Sequence, residues 1–172
     1  MKKIFYTKRS SFLSTKDAVE KILKDYFQIS NTEILRTENG KPYLTQSPLF
    51  FSVAHTNDAL FIAFCDENVG IDAENLDRNV DYLPILRKFH ETERKEIRSK
   101  QDFLQHFTAI ESGVKWLGGT LAKDFAYLRF VDKILYYKET PLPVCVTFKE
   151  VDGFILSIVS EKDFSTANIY KL

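Results

Sequence analysis

A few side chains in three short segments are of the right type and spacing to do chemistry together. In Val69-Gly70-Ile71-Asp72-Ala73-Glu74, two carboxylates stand two residues apart. On a strand end they share one side, because strand side chains alternate with a period of two. Like charges held that close repel unless a cation lies between them, and hard oxygen donors of this kind suit Mg²⁺. The alternative is a solvated strand edge running into a loop. Glu111 and Lys115 stand four apart in a helical pattern. They are either a surface ion pair worth about 0.3–0.5 kcal/mol, or a third carboxylate beside a phosphate-binding ammonium. His55 follows the apolar run Leu49 to Ala54 and precedes Thr56-Asn57, at a strand-to-turn corner. It is either a hydrogen-bonded structural residue or a participant. His90 and His106 read as partly exposed helix residues, and three scattered histidines without a Cys partner argue against zinc.

The elements that must position these groups follow from periodicity. Lys2 to Thr7 reads as a first strand. Ser14 offers a hydroxyl N-cap, and Ala18, Val19, Ile22, Leu23 and Tyr26 form one face of a helix. Asn39-Gly40 is a turn, and Lys41-Pro42 leads the chain away extended. Leu49 to Ala54, Ala59 to Cys65 and Val69 to Ala73 read as strands separated by tight turns. The polar stretch Glu74 to Asp81 reads as a linker between two halves. Leu83, Leu86 and Phe89 open an apolar face that runs into a charged helical segment, Glu91 to Lys100. Phe103, Phe107, Ile110, Val114 and Leu117 then mark one buried helix stripe, ended by Gly118-Gly119. Ile134 to Tyr137, Val144 to Phe148 and Phe154 to Val159 read as strands, with Asp152-Gly153 a hairpin turn.

Composition removes whole classes of function. The 172 residues carry 24 Lys+Arg against 24 Asp+Glu, so the surplus of positive charge needed for broad nucleic-acid or anionic-membrane binding is missing. Fifteen Phe and eight Tyr can fill an interior, and six Gly with five Pro exclude collagen-like and Pro/Gly-rich disordered classes. The basic start, Met1 to Arg9, is followed by no long apolar run, which predicts neither a secretory signal nor a membrane span, and a cytoplasmic protein. Cys65 and Cys145, far apart in apolar runs, read as two buried thiols. No P-loop, dinucleotide-binding glycine turn or nucleophile elbow is present.

The order of the pieces carries a resemblance. Gly40-Lys41-Pro42, Phe51-Ser52-Val53-Ala54-His55-Thr56, Val69-Gly70-Ile71-Asp72-Ala73-Glu74, Arg87-Lys88-Phe89 and Phe107 to Leu121 follow one another. The series resembles the surfactin-type 4'-phosphopantetheinyl transferases, which move the phosphopantetheine arm of coenzyme A onto a serine of an apo carrier protein. Their motifs read Gly-Lys-Pro, Phe-Asn-x-Ser-His-Ser, Gly-Ile-Asp-x-Glu, a Phe-Phe pair before a Glu-rich helix, and Trp-x-x-Lys-Glu-x-x-x-Lys-x-x-Gly. The resemblance spans about Lys16 to Leu121.

Carried over residue by residue, it implies a Mg²⁺ held by Asp72, Glu74 and Glu111, with Glu111 also helping to deprotonate the carrier serine. Lys115 would hold a phosphate and offset the charge on departing 3',5'-ADP. Lys41, His55 and Thr56 would contact the coenzyme A phosphates, and Lys8 and Arg9 the nucleotide's 3'-phosphate. This chain departs from the motifs at Phe107 for Trp, at Ala54-His55-Thr56 for Ser-His-Ser, and at Ile110, where the family has a lysine.

The expected fold is α+β, in two pseudo-symmetric halves of residues 1–76 and 77–172. Each half is a helix packed on antiparallel strands, with the site in the cleft between them. Internal pairing of two such halves predicts a monomer. The carrier could belong to fatty-acid, polyketide or peptide-synthetase assembly. Arg87, Lys88, Arg94, Lys95, Arg98 and Lys100 would either face it or form an ordinary solvated helix surface. The alternative function is a binding module that holds coenzyme A or a carrier protein without transferring anything.

Overall fold

The computed structural model describes residues 1–79 and 81–172; Val80, inside the expected linker, lies outside the described residues. The first part of the chain runs β1 (Lys2–Lys8), α1 (Thr15–Phe27), β2 (Ile34–Arg36), β3 (Pro42–Leu44), β4 (Phe50–His55), β5 (Ala59–Cys65) and β6 (Val69–Asn75). Three short or long helices follow, α2 (Leu83–Leu86), α3 (Glu91–Glu96) and α4 (Lys100–Leu117), then α5 (Leu121–Asp124). The chain closes with β7 (Leu128–Val131), β8 (Ile134–Tyr137), β9 (Thr140–Pro141), β10 (Cys145–Val151), β11 (Phe154–Ser160) and β12 (Asn168–Lys171).

The class is α+β, built in four layers. One sheet has the order β12-β1-β5-β4 and another β10-β11-β6; β2-β3 and β7-β8-β9 are small antiparallel sheets beside them. Helix α1 buries Ala18, Val19, Ile22 and Leu23 against Phe5, Ile62 and Phe64 on the outer face of the first sheet. Inner-face residues Ile4, Phe61 and Ala63 meet Ile71, Leu156 and Ile158 of the second sheet. On the far side, α4 packs Phe103, Leu104, Ile110 and Val114 against Ile155 and Val159. Strand β5 is covered on both faces, which is why its sequence is apolar throughout rather than alternating.

Strand pairing joins the parts of the chain on either side of residue 76. Strand β6 pairs with β11 in antiparallel register, Asp72 opposite Ser157, and not with its chain neighbour β5. Strand β12 returns to lie parallel to β1. The local signals form as read: Ser14 caps α1, Gly118 ends α4 at φ 70°, and Asp152-Gly153 turns the β10–β11 hairpin with both φ positive, while Ser99, not singled out in the sequence, caps α4.

Two expectations are corrected by burial. Cys145 is exposed because it opens β10, the edge strand of its sheet, whereas Cys65 is buried. His106 is buried on α4, where Nδ1 lies 2.9 Å from the Asp102 carbonyl oxygen and Nε2 3.3 Å from Glu96. His90 is exposed, and its side chain caps α3. From α3, the buried Glu93 accepts hydrogen bonds from the Phe130 and His90 amides, at 3.0 and 3.2 Å, and so pins the helix to β7. Burial first of all pushes its carboxyl up to about 7. No helix among the described residues is long and apolar enough to cross a membrane.

Candidate functional site

The site begins with a close approach of helix to strand. A side chain at Gly70 of β6 would collide with the backbone of Ser112 and Trp116 on α4, so glycine lets the two elements lie against one another. The hydroxyls of Ser112 and Ser157 meet at 2.9 Å beneath that contact. Helix α4 therefore lays Glu111 and Lys115, one turn apart, over Asp72 and Glu74.

Lys115 Nζ donates to the Asp72 carboxylate at 2.8 Å and to the Ile71 carbonyl at 2.9 Å. Asp72 is only 6% exposed. Glu111 has no such compensation: burial first, then the charge of Asp72, pushes its carboxyl up to about 8. Glu74 adds to the rise and Lys115 opposes it. Glu74 in turn meets Arg78 Nη1 at 2.6 Å, four residues on. The three sequence-predicted carboxylates and Lys115 thus come together. As these side chains stand, with Lys115 and Arg78 on two of the carboxylates, no group of three or more His, Cys, Asp or Glu among the described residues is arranged to hold a metal ion.

A cleft of about 280 Å³ opens beside Lys115, lined among others by Arg36, Gly40, Lys41, His55 and Gly118. Lys41 Nζ donates to Asn68 Oδ1 and, at 2.9 Å, to the Trp116 carbonyl near the end of α4. An ammonium there complements the negative end of the helix. Burial, with no carboxylate bonded to it, pushes Lys41 down to about 8. His55 Nε2 lies 2.8 Å from Thr15 Oγ1 at the start of α1. Burial, then Arg9, Lys115 and Arg36, hold His55 below its ordinary value, so it stays neutral in a cluster of cations.

A second, polar groove lies beyond His55, lined by Arg9, Thr56, Glu74 and Arg78 among others. Arg9 reaches the Thr56 carbonyl at 3.4 Å. The Thr56 hydroxyl accepts from the Ala59 amide at 2.9 Å and so closes the β4–β5 turn. Lys8 is exposed at the end of β1 and lines neither groove. Three residues that sequence reasoning did not single out enter here. Arg36 lines the cleft, Thr15 holds His55, and Arg78 pairs with Glu74. Only Arg78 had a readable signal, its i, i+4 spacing from Glu74.

Two of the motif departures fall outside the cleft. Ala54 is fully buried between the two sheets, and Ile110 is 1% exposed in the core beneath α4. Phe107 stays half-buried and stacks on Phe103. No protein-family model matches the chain, and no curated protein matches it in sequence.

Proposed function

We propose that the protein is a 4'-phosphopantetheinyl transferase, moving the arm of coenzyme A onto a serine of an apo carrier protein and releasing 3',5'-ADP. The observation that carries the reading is the meeting of Asp72, Glu74, Glu111 and Lys115 beside a cleft walled by Lys41, His55 and Arg36. Such a transfer needs positioning and charge neutralisation more than covalent help from the protein. On this reading the α1 and α4 layers with their sheets are the two pseudo-symmetric halves of the family fold, and the chain acts as a monomer.

With Lys115 and Arg78 turned aside, the three carboxylates would offer the hard oxygen donors that a divalent cation takes. Burial first, and then the charge of Asp72, keeps a proton on Glu111 up to about pH 8, a proton that a bound cation would displace. Mg²⁺ held by Asp72, Glu74 and Glu111 would neutralise the pyrophosphate of coenzyme A. The remaining work falls to the chain's own groups. Lys41 and Arg36 attract the phosphates, and neutral His55, fixed by Thr15, contributes a hydrogen bond rather than charge. Lys115 reaches from α4 into the cleft and offsets charge on the departing nucleotide. Glu111, once ionised, accepts the serine proton, directly or through water.

The burial of Ala54 and Ile110 supports transferase over binding module, because neither departure removes a group from the cleft. Calorimetric titration tests the nucleotide half of this reading. Coenzyme A in Mg²⁺ should bind more tightly than pantetheine, which lacks the nucleotide, and Lys41→Ala should narrow the difference. Pantetheine binding as tightly as coenzyme A would overturn it.

A further inference from the structure

Both carboxylates of β6 already hold a cation. Asp72 has Lys115 at 2.8 Å, and Glu74 has Arg78 at 2.6 Å. The acidic members of the pairs are the more enclosed, 8% and 17% exposed at the side chain, while Lys115 and Arg78 are 31% and 50% exposed. Each pair therefore joins an enclosed anion to a cation with an outlet to solvent. Lys115 lines the main cleft, and Arg78 lines the polar groove that also contains Arg9 and Thr56. The anions sit on β6, paired along its length with β11, whereas Arg78 lies just past the strand's end.

We propose that Lys115 and Arg78 are resident counter-ions of Asp72 and Glu74, and that a divalent cation binds at the site by taking their place. The inference rests on the metal reading given above and adds to it a residue outside every motif, Arg78. A cation entering a site already neutralised gains Coulomb energy only as far as it expels like charge. Wild-type affinity is accordingly held below what three carboxylates alone would give. Lys115, once displaced from Asp72, remains beside the cleft and is free to meet phosphate. Arg78 is a positioning residue: it acts through Glu74 and sets how readily that carboxylate turns to metal.

The test measures Mn²⁺ affinity, by electron paramagnetic resonance and calorimetry, on the full chain without coenzyme A at constant pH and ionic strength. Arg78→Gln should tighten Mn²⁺ binding by about fivefold, the scale of a part-exposed ion pair. Lys115→Met should tighten it further, and Arg78→Lys should stay near wild type. Lys21→Gln removes one positive charge from a comparable pair, Lys21–Asp25 at 2.6 Å on α1, and should change nothing. Unchanged or weaker binding by Arg78→Gln overturns the proposal, and so does equal tightening by Lys21→Gln, which would mark a net-charge effect. If wild type and every variant fail to bind Mn²⁺, the metal reading itself falls, and the counter-ion proposal with it.

Discussion

Replacing Glu111 by Gln should make the protein more stable at alkaline pH and leave it unchanged in mild acid. The carboxyl is pushed from its ordinary 4.5 up to about 8, first by burial and then by Asp72. The folded state thus holds this proton more tightly than the unfolded chain, and stability is lost as pH rises from about 4.5 through about 8. Each pH unit in that window costs about 1.4 kcal/mol. Part of the penalty is shared with Asp72 and Glu74 and is relieved by relaxation and water. The recoverable amount is on the order of 3 kcal/mol, or roughly 6–12 °C in melting temperature for a chain of this size. The assay is thermal unfolding in EDTA from pH 5 to pH 9. Glu111→Gln and wild type should melt together at pH 5 and separate progressively toward pH 9, with Gln the higher. Curves that stay parallel across the range, or Gln melting lower at pH 9, would refute the reasoning.

Lys41, pushed down to about 8 by burial, should lose its charge as pH rises through that value. Coenzyme A affinity should therefore fall between pH 7 and pH 9, and Lys41→Arg should flatten the profile, as followed by titration calorimetry. Gly70→Ala would drive a methyl into the backbone of α4. It should cost about 3 kcal/mol or more in urea unfolding, or prevent folding, because neither backbone can give way cheaply. Glu93→Ala should cost about 2–4 kcal/mol by the same measurement, since the Phe130 and His90 amides lose their acceptor.

The parts legible in the sequence were local. The stripe Phe103, Ile110, Val114 is the buried face of α4, and Ser14 caps α1, because each signal lies within a few turns of chain. The outer end of the stripe frays: Leu117 is exposed beside the Gly118 cap. Pairing of β6 with β11, and of β12 with β1, was not legible, because register between distant strands is decided by which faces the helices cover. For the same reason Cys145 and His106 exchanged their expected environments. The four residues at the centre of the site could be read from spacing and motif order. That they converge depends on Gly70, whose close packing has no local signature. Arg36 and Thr15 were missed because a surface arginine or a half-buried threonine gains meaning only from what the fold brings beside it, and Arg78 because its spacing from Glu74 alone does not mark a site. Lys8 stood next to Arg9 in sequence, but β1 ends between them, and only Arg9 reaches a groove.

Transfer itself is the most direct test. The protein would be incubated with coenzyme A, Mg²⁺ and an apo carrier protein, and the carrier weighed by intact mass spectrometry, with apo carriers of the fatty-acid, polyketide and peptide-synthetase kinds each tried. The account predicts a carrier heavier by one phosphopantetheine, attached to a serine, with 3',5'-ADP released in equal amount. The gain should be abolished by EDTA and reduced by about a hundredfold or more in rate by Glu111→Gln at saturating coenzyme A. Coenzyme A bound with no carrier modified would contradict it and leave the binding module, and a Glu111→Gln enzyme turning over at the wild-type rate would contradict the assigned chemistry.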